Sequence, residues 1–261
     1  MENITTAVST RWHDITVNHI SLSQPWEWLS KGWQDVRRAG RYSLTYGAGI
    51  VLISGLLTFG LIAAEMFFLV PFLAAGFFLV APAIGIGLYQ MSAHLERGEP
   101  LQTCNALEAW KRNQGQISIV TAGFFIIMQL WMAANFVLFA LLYSGISPPL
   151  GNFFTKVFLS EEGRAFAIAS VIVGFLLAWA AYAISVVSVP ILMDRKVDGF
   201  TAVRTSIKAV LQNFWPMMLW AALIVIIVGL GLLTFYVGLI VALPLVGHAS
   251  WHAYRDLVPH R

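Results

Sequence analysis

Charge is what this sequence has least of. Only 11% of its 261 residues are Asp, Glu, Lys or Arg, whereas 58% are hydrophobic and the mean hydropathy is +0.74. A soluble domain carries about 25% charged residues, so a 28.8 kDa chain this poor in charge cannot clothe a water-facing surface. The soluble classes are excluded and lipid is the expected solvent. Cysteine is almost absent as well. With Cys104 alone, no intramolecular disulfide can form and the fold does not depend on an oxidising compartment. The first 42 residues contain no long apolar run. No cleavable signal peptide is therefore expected, and the first apolar helix should itself act as the insertion signal. A glycine-rich phosphate loop, a serine-nucleophile motif, a zinc tetrad and a haem-attachment CxxCH are all missing, which weakens an enzymatic reading.

What is present is long apolar sequence. A membrane-crossing helix needs about 20 mostly apolar residues. Ser43 to Ser92 holds one charge, Glu65, in 50 residues, room for helices at about 44–64 and 66–91 with a turn at Glu65. Segments at about 117–143 and 165–193 are uncharged. The 38-residue run from Phe214 to Trp251 is too long for one crossing. A reversal near Thr234–Gly238 divides it into helices at about 216–234 and 238–254. The expected fold is all-α: a tail over residues 1–22, then a membrane domain over 23–258 with six transmembrane helices in three hairpins. Fourteen of the sixteen Lys and Arg residues fall in the N-terminal segment, the loops near 97–112 and 195–208, and the C-terminus; only Lys156 and Arg164 fall opposite. By the positive-inside rule the basic side, with both termini, is cytoplasmic.

A coarse repeat accompanies the hairpins. Each is preceded by an amphipathic stretch and has a proline in its second helix: Pro82, Pro190 and Pro244. In the first stretch Trp26, Leu29, Trp33 and Val36 form one face, with Glu27, Lys31, Gln34 and Arg38 on another. In the third, Phe200, Val203, Ile207, Val210 and Phe214 oppose Arg204, Lys208 and Gln212, and Asp198 is placed to cap the helix. The second, around Ala106, Leu107 and Trp110, is shorter. Aromatic, basic helices of this kind lie in the headgroup layer, either seating the bundle or offering a docking rim. Ser170, Gly174 and Ala178, together with Ala81/Gly85, Ala83/Gly87 and Gly238/Ala242, make small-residue ladders that let helices approach closely, within the chain or between chains.

Side chains with chemistry are few. Glu65 falls at a turn, and Gln129 and Asn135 are the deepest strongly polar groups, suited to interhelical hydrogen bonds. The lack of a carboxylate or histidine at mid-membrane argues against active transport, though not against a passive pore. His248 and His252 are four apart, a spacing that suits a shared metal, but no further ligand stands beside them. They sit in a belt with Trp251, Tyr254 and Arg255, at the depth of Asp194 and Arg195, where an ion pair is expected. No cofactor is expected, and haem or metal on the two histidines is the alternative.

Several of these motifs resemble a known family. Pro25-Trp26-Glu27-Trp28-Leu29 with Gly32-Trp33, Ala75 to Pro82, Gly87-Leu88-Tyr89, Val189 to Arg195 and Gly247 to Arg255 look like those of predicted proteobacterial integral membrane proteins of unknown function, across about residues 20–258. Some members carry the label cytochrome c oxidase subunit. The resemblance implies a bacterial inner-membrane location and makes haem–copper oxidase subunits candidate partners. The function expected is a non-catalytic subunit or assembly factor of a larger membrane complex. The alternatives are a small-solute channel or transporter and a haem- or metal-binding membrane protein. Partner contacts are expected at Trp26, Trp28, Trp33, Gly174, Asp194, Arg195, Trp251, Tyr254 and Arg255; nucleic acid is not an expected partner.

Overall fold

The computed structural model describes residues 15–66, 69–101, 113–143, 160–161 and 163–259. Ten helices occur among them: α1 (Gln24–Ala39), α2 (Arg41–Ala63), α3 (Val70–Ile84), α4 (Ile86–Arg97), α5 (Gln114–Leu142), α6 (Arg164–Ser185), α7 (Ser188–Asp194), α8 (Gly199–Gln212), α9 (Phe214–Leu233) and α10 (Leu239–Leu257). The apolar runs did become helices, and the reversals fall where small or turn-forming sequence was read. Glu65 lies in the turn after α2 with φ 59°, and Phe235 and Tyr236 take φ 51° and 68° between α9 and α10. The second apolar helix begins at Val70 rather than near 66. The stretch around Ala106, Leu107 and Trp110 lies outside the described residues.

The prolines leave their mark on two rods. Proline lacks an N–H and its ring crowds the carbonyl four residues back. Pro190 crowds the carbonyl of Val186, and the helix breaks there between α6 and α7. The Val187 N–H at that break is taken up by the Ser206 hydroxyl of α8, at 3.1 Å. The α3–α4 rod is interrupted at Gly85, three residues beyond Pro82.

Among the described residues, five helical stretches are long and apolar enough to cross a membrane: Arg41–Ala63, Phe72–Arg97, Gln114–Leu142, Arg164–Asp194 and Phe214–Leu233. The expected sixth, α10, does not qualify, since its last turns carry His248, His252, Arg255 and Asp256. It is instead the axis of the bundle. Gly247 to Trp251 are five consecutive buried residues, so this part of α10 has protein on every side. Helices α1, α2, α4 and α9 all pack on it, while α3, α5 and α6 form a second group alongside.

Glycines permit these approaches. A Cβ on Gly32 would lie 2.7 Å from the Ala249 nitrogen, and one on Gly47 would lie 2.5 Å from the Ile240 carbonyl oxygen. In the second group the Ser170–Gly174–Ala178 ladder turns inward. A Cβ on Gly174 would meet the Trp131 ring at 2.7 Å, and Ser170 donates to Asn135 Oδ1 at 2.5 Å. Asn135 therefore makes the interhelical bond expected of it. Gln129 is exposed on the outer face of α5, so the expectation of a bond between helices does not hold there.

Gly174→Leu should therefore act on folding. Overpacking a filled site costs about 1–3 kcal/mol. Detergent-solubilised Gly174→Leu should unfold at a clearly lower temperature than wild type. Gly229→Leu, where a Cβ meets nothing within 4 Å, should not.

Candidate functional site: a buried polar cluster at the basic end

The cluster is assembled from four helix ends. Helix α1 enters with Pro25 in its first turn, a position where the missing N–H costs nothing. Its inward stripe is Pro25, Trp28, Gly32, Asp35, Val36 and Ala39. The apolar face expected from the sequence is thus split. Val36 faces inward, whereas Trp26 and Trp33 are 56% and 45% exposed. Between them Trp28 is fully buried, meets Trp220 edge-on at 5.5 Å, and donates its indole N–H to Asp256 at 2.8 Å. Gln24 and Lys31 reach the same Asp256 oxygen, at 2.9 and 3.5 Å.

Asp35 carries a charge into this stripe, and the hydrogen bonds around it run in one direction. Ser92 of α4 donates to Asp35 Oδ2 at 2.8 Å. A hydroxyl has one proton, so the 2.7 Å contact between Ser92 Oγ and His248 Nδ1 is donated by the imidazole. The other ring nitrogen, Nε2, then accepts from Ser43 of α2 at 2.6 Å. His252 Nε2 meets Asp35 Oδ2 at 2.8 Å and donates to the carboxylate. Ser43, His248, Ser92 and His252 thus form a chain ending on one carboxylate, which ties α1, α2 and α4 to α10. Burial alone would raise the Asp35 carboxyl, but the bonds from His252 and Ser92 outweigh it and hold it below the usual carboxylate range.

The two histidines answer to different partners. His248 is fully buried with both nitrogens engaged by serines, and His252 is half-buried on Asp35. As arranged, they do not present a shared pair of free nitrogens to a metal. Among the described residues, no three His, Cys, Asp or Glu side chains come together in the manner of metal ligands.

One turn further along α10, the expected ion pairing is present and larger than expected. Tyr254 donates to Asp194 at 2.5 Å and accepts from Arg195 Nε at 3.2 Å. Arg195 also donates to the Pro259 carbonyl at 2.8 Å. Arg255 lies 3.8 Å from Asp194, but its main partner is Glu96 of α4, reached at 3.0 and 2.7 Å. Trp251 donates to Glu96 as well, at 3.1 Å. Asp194, Arg195, Trp251, Tyr254 and Arg255 are therefore brought together, Asp194 meeting Arg195, Tyr254 and Arg255, and Glu96 joining Arg255 to Trp251. Gly174 lies away from them, against Trp131.

Asp35, Ser43, Ser92, Glu96 and Asp256 were not singled out by the sequence. Asp35 left a trace: it lies seven residues after Trp28 and three after Gly32, a charge inside an otherwise apolar and small stripe. Ser43 and Ser92 left none. Asp198 does cap α8 as read, its carboxylate accepting from the Thr201 backbone at 2.9 Å.

The Asp35 tie sets a pH dependence. A carboxyl held below its unfolded value of about 3.9 contributes stability that is complete above that value and is lost as pH falls towards the folded one. Asp35→Asn should destabilise the purified protein at pH 7 by on the order of 3 kcal/mol, because the donors of His252 and Ser92 lose their charge partner. The gap to wild type should hold down to about pH 4 and narrow as pH falls further, as read by thermal unfolding in detergent at each pH.

Residues 68–194 match the model of a family described as predicted integral membrane protein (DUF2189). The matched stretch runs from the start of α3 to the end of α7. It contains the Ala75–Pro82 and Gly87–Tyr89 motifs and Val189–Arg195 up to Asp194, and leaves out those of α1 and α10. No curated protein and no solved structure matches the chain.

Proposed function

We propose that this integral membrane protein is a non-catalytic accessory subunit or assembly factor, acting by lateral association with a larger complex of the bacterial inner membrane. The observation that carries the reading is the second apolar face of α1. One face is buried on α10. Another, formed by Trp26, Leu29 and Trp33, lies roughly 100° further round the helix, with both tryptophans exposed and Leu29 half-buried. A helix that served only to cover the bundle would need one apolar face. The third side, with Glu27, Ser30, Gln34, Arg37 and Arg38, is exposed and polar. Three sides suit a helix at the membrane surface, with protein on one side, water on another, and headgroups or a partner on the third. Exposed Trp beside Arg is also the composition most often found where binding energy is concentrated.

Helix α8 follows the same plan. The stripe read for it is divided: Val210 is buried, whereas Phe200 and Phe214 are exposed, as are Leu211 and Trp215. The polar groups at the basic end are engaged with one another, which supports a binding role over a chemical one. In this reading α10 crosses the membrane as a sixth helix, shielded by α1, α2, α4 and α9, and both termini are cytoplasmic. The family resemblance makes haem–copper oxidase subunits the first partners to test.

Two experiments bear on this. Reporter fusions after residues 112, 208 and 258 should report cytoplasm, and fusions near 65, 155 and 236 the opposite side. Residues 236 and 258 on one side would remove α10 as a crossing. For function, wild type purified in mild detergent should migrate on a native gel above monomer mass with co-eluting membrane proteins. Trp26→Ala/Trp33→Ala should lose them, since exposed anchor residues each contribute about 2 kcal/mol, while its unfolding temperature stays unchanged. Wild type migrating alone would sink the accessory reading.

A further inference from the structure

A second feature lies apart from the cluster and does not depend on the accessory reading. Between α6 and α9, two helices that make little direct contact, the bundle holds a cavity of about 420 Å³. This is within the range of about 300–1,000 Å³ usual for small-molecule sites. Its floor is formed by α3, α4 and α10, through Pro82, Leu88, Leu243 and Gly247. At the basic end the cleft is closed: the Tyr182 hydroxyl of α6 donates to the Met217 carbonyl of α9 at 2.8 Å, and Trp179 meets Phe214 edge-on at 5.8 Å. Towards mid-membrane it is open, rimmed by exposed Phe175 on α6 and exposed Val225 and Ile226 on α9. The opening is therefore on the lipid-facing side of two helices apolar enough to cross the membrane.

The chemistry of the walls specifies the occupant. No charged residue is among the described lining residues. The hydroxyls at the closed end already have acceptors: Ser185 donates to the Tyr182 carbonyl at 3.4 Å, Ser250 to the Val246 carbonyl at 2.8 Å, and Tyr89 is hydrogen-bonded with Ser250. A polar or ionised group placed inside would lose its water and gain no partner, a cost of several kcal/mol. Hydrocarbon would lose nothing.

Dimensions narrow the choice further. The lining runs from Met218 to Val228 on α9, about 15 Å at about 1.5 Å per residue. That is half of the roughly 30 Å hydrocarbon thickness, the depth of one leaflet. A neighbouring helix would have to continue past the Tyr182–Met217 bond and the Trp179–Phe214 contact that close the cleft, whereas a single hydrocarbon chain can end there. We propose that the α6–α9 cleft is a binding site for one acyl chain of a phospholipid from the leaflet at the basic end, entering sideways from the bilayer with its headgroup left outside.

The probe is a phosphatidylcholine carrying a photoactivatable diazirine on one acyl chain, mixed into phosphatidylcholine vesicles that contain the wild-type protein. After irradiation, cross-links should concentrate in peptides covering residues 175–186 and 218–228, and should plateau as the probe fraction rises. Ala222→Trp, placed at the rim, should lower them roughly tenfold, a loss of about 1.4 kcal/mol in affinity, with unfolding temperature at or above that of wild type. Cross-links spread evenly along the exposed face of α5, at Phe125, Ile126 and Phe136, and rising in proportion to the probe would overturn the site. So would undiminished labelling of the cleft in folded Ala222→Trp. The wild-type titration decides the matter even if the variant does not fold.

Discussion

A carboxylate removed from water must be met by donors, and in this bundle one such group fixes the arrangement of the rest. Asp35 is buried at the meeting point of α1, α4 and α10, and it is met by the Ser92 hydroxyl and the His252 ring. A group of this kind is costly to bury and more costly to leave unpaired. Its value to the fold is therefore positional. Only one rotation of α1 about its axis brings Asp35 to His252 while placing Trp28 on Trp220 and Gly32 on Ala249. Rotating α1 by one residue would present Gln34 or Val36 to the serine and histidine donors instead.

That constraint reaches along the chain through α10. The second half of this helix is too polar to face hydrocarbon, so other helices must surround it, and Asp35, Ser43 and Ser92 supply partners for its histidines. The outer groups then follow: Glu96 takes Trp251 and Arg255, while Asp194 takes Tyr254. Each of these ties links a helix distant in sequence to α10. The N-terminal segment is held in the same way, with the Asn18 backbone N–H bonded to the Leu257 carbonyl and the Ile20 N–H to the Asn213 side chain. In a bilayer there is no hydrophobic drive between helices, and these polar ties with close glycine contacts perform the task that apolar burial performs in water.

The extent to which the sequence disclosed this differs by element. Helices and turns were legible because apolar runs and their breaks are local: Glu65, Thr234–Gly238 and the Asp198 cap all fall where read. The belt of Asp194, Arg195, Trp251, Tyr254 and Arg255 was legible as a group, since it lies at equal depth at the ends of two runs. The facing of α1 was not. Trp26, Leu29 and Trp33 do share a stripe, but apolar periodicity cannot distinguish a face turned to protein from one turned to headgroups, and α1 has both. The sixth apolar helix was read in place, but its surroundings were not, for a related reason. Length was counted to Trp251 and beyond, although the polar turns that follow His248 need protein around them rather than lipid.

The same reasoning explains why a closed polar end and an open apolar cleft occur in one small bundle. At the basic end, among the described residues, α1, α2, α4 and α7 are each pinned to α10 by hydrogen bonds or ion pairs with a defined geometry. Between α6 and α9 the last such pin is Tyr182 to Met217. Beyond it the facing residues are Phe175, Val225 and Ile226, which gain no more from each other than from lipid chains. Nothing draws the two helices together there, and Gly174 and Ser170 instead commit α6 to Trp131 and Asn135 of α5. A helix fixed on one side by small-residue packing, and at one end by a tyrosine, must stand apart from its other neighbour. The gap that results has hydrocarbon walls and a lipid-facing mouth.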